Sequence, residues 1–246
     1  MRKQWAIVLI IDGQSKTFWL GTAYDKSYID EWITPQQYST NPNERDEAIA
    51  QSVAKIANSS AGNFIWISKR GVHYPYADKY PPTETLWGPS LSPADPRIDP
   101  ARHEELINSY DNALRYNLEI FFRALDPAAW QENAFIIYTS DHGQTLSERG
   151  ERHTHCGTAS TTAPTEAAVP LILITKAPVS VETNYMASHA NIFTTLLDLM
   201  GFPDNERRYP YALSLFHAKA SQSQVRYFSV GNPQREGVNR RVTFDR

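Results

Sequence analysis

Cysteine is nearly missing from this chain: Cys156 is the single one, so no disulfide can close within it and the redox compartment stays open. Long apolar runs are missing too. No stretch approaches the roughly 20 apolar residues of a membrane span, so no crossing helix is expected. Met1-Arg2-Lys3 followed by Trp5 to Ile11 imitates a signal peptide. That run is only about seven residues, and Asp12 follows without a small-residue cleavage site, so a buried strand is the better reading. Excess positive charge is missing as well: the formal net charge is −3, whereas nucleic-acid binding demands a basic face. Neither a G-x-x-x-x-G-K-[ST] loop nor a G-x-S-x-G elbow occurs, which argues against a P-loop enzyme and a serine hydrolase. Internal repeats and low-complexity segments are absent.

What remains is ordinary globular material, 246 residues with 41% hydrophobic and 21% charged side chains, enough to bury a sizeable core. Trp5 to Ile11, Asn63 to Ser68, Ala134 to Thr139 and Val169 to Thr175 read as buried strands, with Pro170 tolerable only at a strand's beginning. Thr17 to Leu20 and Val225 to Val230 are further strand candidates, and the tail from Asn232 is polar and basic. Residues 21 to 43 show no clear period.

Helical periodicity appears three times. Ala48, Ile49, Val53 and Ile56 make one face over Glu44 to Ala57. Asp99-Pro100 opens a long helix whose inner face carries Leu106, Tyr110, Leu114, Leu118, Phe121 and Leu125. Ser188 is expected to cap a third, with Ile192, Phe193, Leu196, Leu197 and Met200 inward and Gly201 as its stop. Residues 75 to 100 hold seven of the sixteen prolines, an irregular surface excursion and not an element. Strands alternating with helices predict an α/β fold with a mostly parallel sheet flanked by helices. The expected organisation is a single domain over 1–246.

The chemistry concentrates in Asn133 to Gly157. A short apolar strand stops on Ser140-Asp141-His142-Gly143, and a polar loop with His153 and His155 follows. Open α/β folds bind ligands at such strand ends, and carboxylate plus imidazole suits zinc and similar divalent metals. Asp141 and His142 are the first candidates for metal ligands. His73, a few residues beyond another strand end, and His155 are candidates for a second metal position or a phosphate-like group. His153 and Cys156 are weaker candidates. Asp12 reads as a turn-forming Asp-Gly pair in preference to a metal contact, and His189 as structural. A metal ringed by histidines points to phosphoryl- or sulfuryl-type transfer.

Four segments, in order, carry a resemblance to a known family. They are Gly71-Val72-His73-Tyr74-Pro75-Tyr76 with Tyr80-Pro81-Pro82, then Ser109-Tyr110-Asp111-Asn112-Ala113, then Phe135 to Gly143 ending in S-D-H-G, then Ser188-His189-Ala190-Asn191-Ile192-Phe193-Thr194-Thr195-Leu196-Leu197. Together they resemble the sulfatase-like, alkaline-phosphatase superfamily, and within it the phosphoethanolamine transferases. The resemblance implies an alkaline-phosphatase-like fold, Asp141 and His142 as zinc ligands, and His73 and His155 lining the site. It implies structural roles for the motifs around Asp111 and His189, and a phosphate- or sulfate-ester substrate such as a lipid head group. Relatives are periplasmic or membrane-anchored.

Two departures stand out. In the family an acidic metal ligand and a threonine nucleophile precede the matched region; residues 1 to 62 look too short to hold them, and no copy of either is evident. Gln144 also stands where glutamate often follows S-D-H-G. The expectation is therefore the C-terminal part of a metal-dependent phosphoester or sulfoester transferase or hydrolase domain. One alternative is an inactive remnant that keeps the fold and binds metal or an anionic ligand. Another is a small metallohydrolase in which Asp12 completes the site.

Overall fold

The computed structural model describes residues 7–13, 26–59, 62–150, 153, 155, 157–158, 160–203, 212–223, 225–230 and 240–243. The chain divides into two compact units, Met1–Gln131 and Glu132–Arg246.

In the first unit, β1 (Ile7–Asp12) is the middle strand of a parallel three-stranded sheet, between β2 (Glu31–Ile33) and β3 (Asn63–Ser68). Its apolar run is explained by that position: Leu9, Ile10 and Ile11 are all buried, as an inner strand of a parallel sheet requires. β2 lies in the stretch without period. Asp30 holds it in place, its carboxylate accepting from Val8 N at 2.8 Å. The expected strand at Thr17 to Leu20 lies outside the described residues.

Helices α1 (Arg45–Ser59) and α2 (His103–Leu125) pack on each other. Ile49 and Val53 of α1 and Leu106, Phe121 and Leu125 of α2 are buried. Asp99 accepts from Ala101 N at 2.8 Å, but it caps a 3-10 turn, Pro100–Arg102, which leads into α2. The helix ends at Asp126, left-handed with φ 44°, just before Pro127.

The proline-rich excursion is irregular as expected, yet well anchored. Tyr76, Tyr80 and Leu91 are buried. The buried Asn112 of α2 accepts from Leu86 N at 2.9 Å and Trp87 N at 3.0 Å, and donates to Trp87 O at 2.8 Å. Ser109 accepts from Leu91 N at 2.7 Å. The Tyr76 ring meets Tyr110 edge-on at 5.1 Å. These contacts give the Y-D-N stretch of α2 its structural role: its polar side chains replace the backbone ladder that a proline-rich loop cannot make.

Lys69, just past β3, lies over the Phe121 ring at 3.9 Å and donates to Asn117 O at 3.3 Å. Burial pulls its ammonium down to about 8, with Asp46 opposing. An unfolded lysine titrates near about 10.4, so between these values the unfolded state binds more protons and stability rises with pH. Lys69→Met is expected to stabilise the first unit near neutral pH by about 1–2 kcal/mol, once the lost ring contact and hydrogen bond are discounted. The gain should vanish above the unfolded lysine's pKa. Urea midpoints measured at both pH values check it; a destabilised variant near neutrality would show that the site favours the ammonium.

In the second unit, β4 (Phe135–Thr139) pairs antiparallel with β5 (Leu171–Thr175), and β6 (Tyr227–Val230) pairs antiparallel with β7 (Arg240–Thr243). The parallel pairing among the described residues thus belongs to the first unit. Pro170 sits just before β5, and its carbonyl accepts from Thr139 Oγ1 at 2.8 Å. A short helix α3 (Pro164–Ala167) precedes it.

Helix α4 (Ala190–Leu199) differs from expectation in two ways. Ser188 does not cap it; instead Asn191 Oδ1 accepts from Ser188 N at 2.8 Å. Its most buried face is polar, made by Asn191, Thr194 and Thr195, while Phe193 is 47% exposed. The hydroxyls are satisfied by bonding back to Asn191 O at 3.2 and 2.7 Å. Asn191 Nδ2 donates to Leu213 O at 2.7 Å, and Thr195 Oγ1 accepts from Leu215 N at 3.0 Å. This face therefore binds a backbone segment. Gly201, with φ 72°, stops the helix as expected. Among the described residues no helix is long and apolar enough to cross a membrane.

Candidate metal and phosphate site

β4 delivers its C-terminal end to Ser140-Asp141-His142-Gly143, and the turn there is held by short-range hydrogen bonds. Asp141 Oδ1 accepts from His142 N at 3.0 Å, and Ser140 Oγ donates to His142 O at 2.7 Å. The turn can form only with glycine next. Gly143 N donates to Glu166 O at 2.7 Å, and a Cβ on Gly143 would meet Thr165 O at 2.0 Å. The strand end is thereby pressed against α3.

Asp141 and His142 do come together. Asp141 Oδ2 and His142 Nε2 are 3.7 Å apart, and the carboxylate side chain is 75% exposed. His142 Nδ1 lies 2.8 Å from Gly143 O, a carbonyl that can only accept, so in the neutral ring Nδ1 carries the proton and Nε2 the lone pair. Oxygen and nitrogen donors at this separation fit neighbouring positions on a zinc ion with bonds of about 2.0–2.2 Å. The fit is to two ligands. Among the described residues no group of three or more His, Cys, Asp or Glu is placed to hold a metal ion.

His155 joins His142 differently. The two imidazoles stack face to face, centroids 4.3 Å apart and planes 9° from parallel. Imidazole lone pairs lie in the ring plane, so stacked rings do not converge on one ion. His155 is therefore arranged for a neighbouring position. His153 is part-buried; burial, and then the nearby His155, hold its imidazole below the usual value. Cys156 lies outside the described residues. The loop bearing these histidines is tied to α3 by the buried Glu166, which accepts from Gly157 N at 2.8 Å and from Ala163 N at 3.0 Å.

His189 at the head of α4 contributes a link that the sequence left as structural. Its Nε2 lies 3.1 Å from Thr139 Oγ1, the last residue of β4. The recognised segments thus meet in pairs. The Gly71-to-Pro82 loop lies on the Ser109–Ala113 stretch in the first unit, and the S-D-H-G strand meets the Ser188–Leu197 stretch in the second.

The first unit carries the other two candidates. His73 lies in the loop after β3, its Nδ1 2.7 Å from Tyr74 O. The loop's root is fixed by the buried Asp46 of α1, which accepts from Arg70 N at 2.9 Å and Gly71 N at 3.0 Å. Asp12 is buried within β1, its Cα opposite Ser68 in the register. β1 therefore continues one residue beyond the expected turn. Sequence reasoning noted Gln144 only as a departure from the family pattern and gave no part to Glu166. For Glu166 the one available signal was a glutamate three residues after Ala163 at a proline-marked helix start.

The protein comparisons bear on the family and the fold. The Sulfatase family model matches residues 11–202. The Kdo(2)-lipid A phosphoethanolamine 7''-transferase of Salmonella typhimurium is 28% identical over 183 residues, 70% of this chain and 30% of that protein. Phosphoethanolamine transferase EptC of Escherichia coli is 23% identical over 91% of this chain and 38% of that protein. The chain thus spans about a third of the length of these relatives. Among solved structures, the C-terminal periplasmic domain of Escherichia coli EptC in complex with Zn superposes with a TM-score of 0.68 at 20% identity, covering 96% of this chain and 68% of that one. The corresponding Campylobacter jejuni domain gives 0.55 at 21% identity, over 85% of this chain and 64% of that one. The fold is that of the EptC periplasmic domains, and the chain belongs to the sulfatase family.

Proposed function

We propose that this chain carries the metal-binding part of a phosphoryl-transfer site acting on a phosphoethanolamine-type lipid head group at the periplasmic face of a membrane. The observation that carries the reading is the Asp141–His142 pair, with its oxygen and nitrogen donors 3.7 Å apart at the end of β4. The names of the relatives and the zinc in one structural neighbour support it.

Asp141 and His142 would hold a divalent metal, most simply zinc, which when bound polarises a phosphate or sulfate oxygen toward attack. Gly143 O fixes the His142 tautomer that leaves Nε2 for the metal. Asp141 brings the negative charge that holds a dication. His155, stacked beside His142, would meet the neighbouring oxygen or second cation. His73 enters the proposal through its sequence motif. None of these residues is assigned as the nucleophile. The two-ligand count among the described residues favours, as a second reading, a domain that binds metal or an anion without turnover.

Asp141→Ala separates the readings. Zinc affinity should fall by more than about 100-fold, since even outer partners of metal ligands are worth about 10–100-fold. Hydrolysis of an aryl phosphate or aryl sulfate by this chain should fall with it. Turnover that survives the substitution overturns the metal mechanism. Zinc bound by the native chain with no turnover on either ester favours the second reading.

A further inference from the structure

Gln144 follows the S-D-H-G turn, and both ends of its side-chain amide are engaged. Nε2 donates to Thr145 O at 2.9 Å. That bond fixes which end of the amide is oxygen, because a carbonyl cannot serve the oxygen end. Oε1 is thereby turned toward His155, and Nδ1 of that ring lies 3.1 Å away. An amide oxygen only accepts, so in neutral His155 the proton sits on Nδ1 and the lone pair on Nε2.

The anchor itself is firm. Thr145 is fully buried, and its hydroxyl lies 3.3 Å from Thr165 Oγ1. Gly143, one residue before Gln144, is pinned to Glu166 O at 2.7 Å. Gln144 is held from both sides before it reaches for the imidazole. His142 obtains the same tautomer by another route, from the carbonyl of Gly143. Two stacked imidazoles with Nδ1 protonated would present lone pairs on Nε2 of both rings.

We propose that Gln144 is a positioning residue: it sets the His155 tautomer and holds the ring on His142, so that Nε2 of His155 faces the site as an electron-pair donor. This rests on the reading of Asp141, His142 and His155 as a metal and phosphate site. A neutral glutamine does this without adding a charge. A glutamate there would accept the same proton and add a negative charge beside the metal position.

The test is nitrogen-15 NMR of the histidine rings in the full chain, without metal and then titrated with zinc alone. Neutral His155 should be the Nδ1–H tautomer, and its Nε2 resonance should respond to zinc. In Gln144→Leu the Nδ1–H preference should be lost, and the zinc concentration needed to move His155 should rise by about 10–100-fold, the scale of outer-partner losses. Gln144→Glu keeps an acceptor for the Nδ1 proton but loses the donor to Thr145 O, so it should restore the tautomer in part. Native His155 found as Nε2–H, or a tautomer and zinc response unchanged in Gln144→Leu, overturns the proposal. If native Asp141 and His142 take up no zinc, the functional reading fails, and the tautomer without metal still decides the role of Gln144.

Discussion

Gly143→Ala should unfold the site without touching any group that does chemistry. The new methyl would sit 2.0 Å from Thr165 O and 2.8 Å from Ala168 O, both backbone atoms. Neither can turn aside as a flexible side chain could, so α3 or the S-D-H-G turn must shift as a body. A shift also breaks the Gly143 N to Glu166 O bond at 2.7 Å. Overpacking costs about 1–3 kcal/mol when side chains can give, and more when they cannot. A loss of about 4 kcal/mol is expected for the second unit, a large fraction of a domain's stability. Urea denaturation followed by Trp130 and the unit's tyrosines would be confounded, because Trp130 lies in the first unit. Amide hydrogen exchange resolved along the sequence is the better measure: protection should fall over 135–143 and 164–175 and persist in β1. Native-like protection across those segments would show that the close approach is not enforced.

The second large effect is expected at Glu166. Its side chain is fully buried and accepts from two backbone N–H groups, Gly157 at 2.8 Å and Ala163 at 3.0 Å. A buried donor left without a partner costs about 1–3 kcal/mol, so Glu166→Ala should destabilise the second unit by about 3 kcal/mol. Part of the gap closes as the loop relaxes toward water. Glu166→Gln keeps one acceptor but turns an N–H toward one of the donors, so it should fall between native and alanine. The readout is specific to place: proteolytic cleavage in the loop between Leu146 and Gly157 should accelerate before global unfolding. An alanine variant cleaved at the native rate would mean the loop is held by other contacts.

The fold was largely legible because its strands are apolar runs and its helices are periodic. β1, β3, β4 and β5 were located to within about two residues, the usual uncertainty at element ends. What escaped was structure whose cause lies elsewhere in the chain. β2 carries no strand pattern of its own and is held by Asp30 reaching to Val8. Strand direction is a property of pairs, so the antiparallel β4–β5 ladder could not be read from either run. α4 misled in a different way. Its apolar residues suggested the inner face, but Asn191, Thr194 and Thr195 are buried because they serve the backbone at Leu213 and Leu215.

At the site, the chemically distinctive residues were legible and their supports were not. Asp141 with His142, and His155 nearby, stand out by type and spacing, and the structure brings these three together in one unit. Gln144 and Glu166 have no such signature. Gln144 matters through its hydrogen bond to His155, and Glu166 through its bonds to Gly143, Gly157 and Ala163, which hold the turn and the loop that carry the chemical residues. His73 and Asp12 belong to the first unit, so their part in the site is argued from sequence and tested by substitution.

The carboxylate of Asp46 links two stretches that sequence distance would separate. It belongs to the first turn of α1, yet it holds the amides of Arg70 and Gly71, 24 and 25 residues later. Those amides cannot exchange with solvent unless the acid releases them. The root of the His73 loop therefore opens on the schedule of α1 and not on that of an ordinary surface loop. A histidine in a proline-rich segment looks free to wander; here its freedom is set by the fraying of a helix formed well before it in the chain.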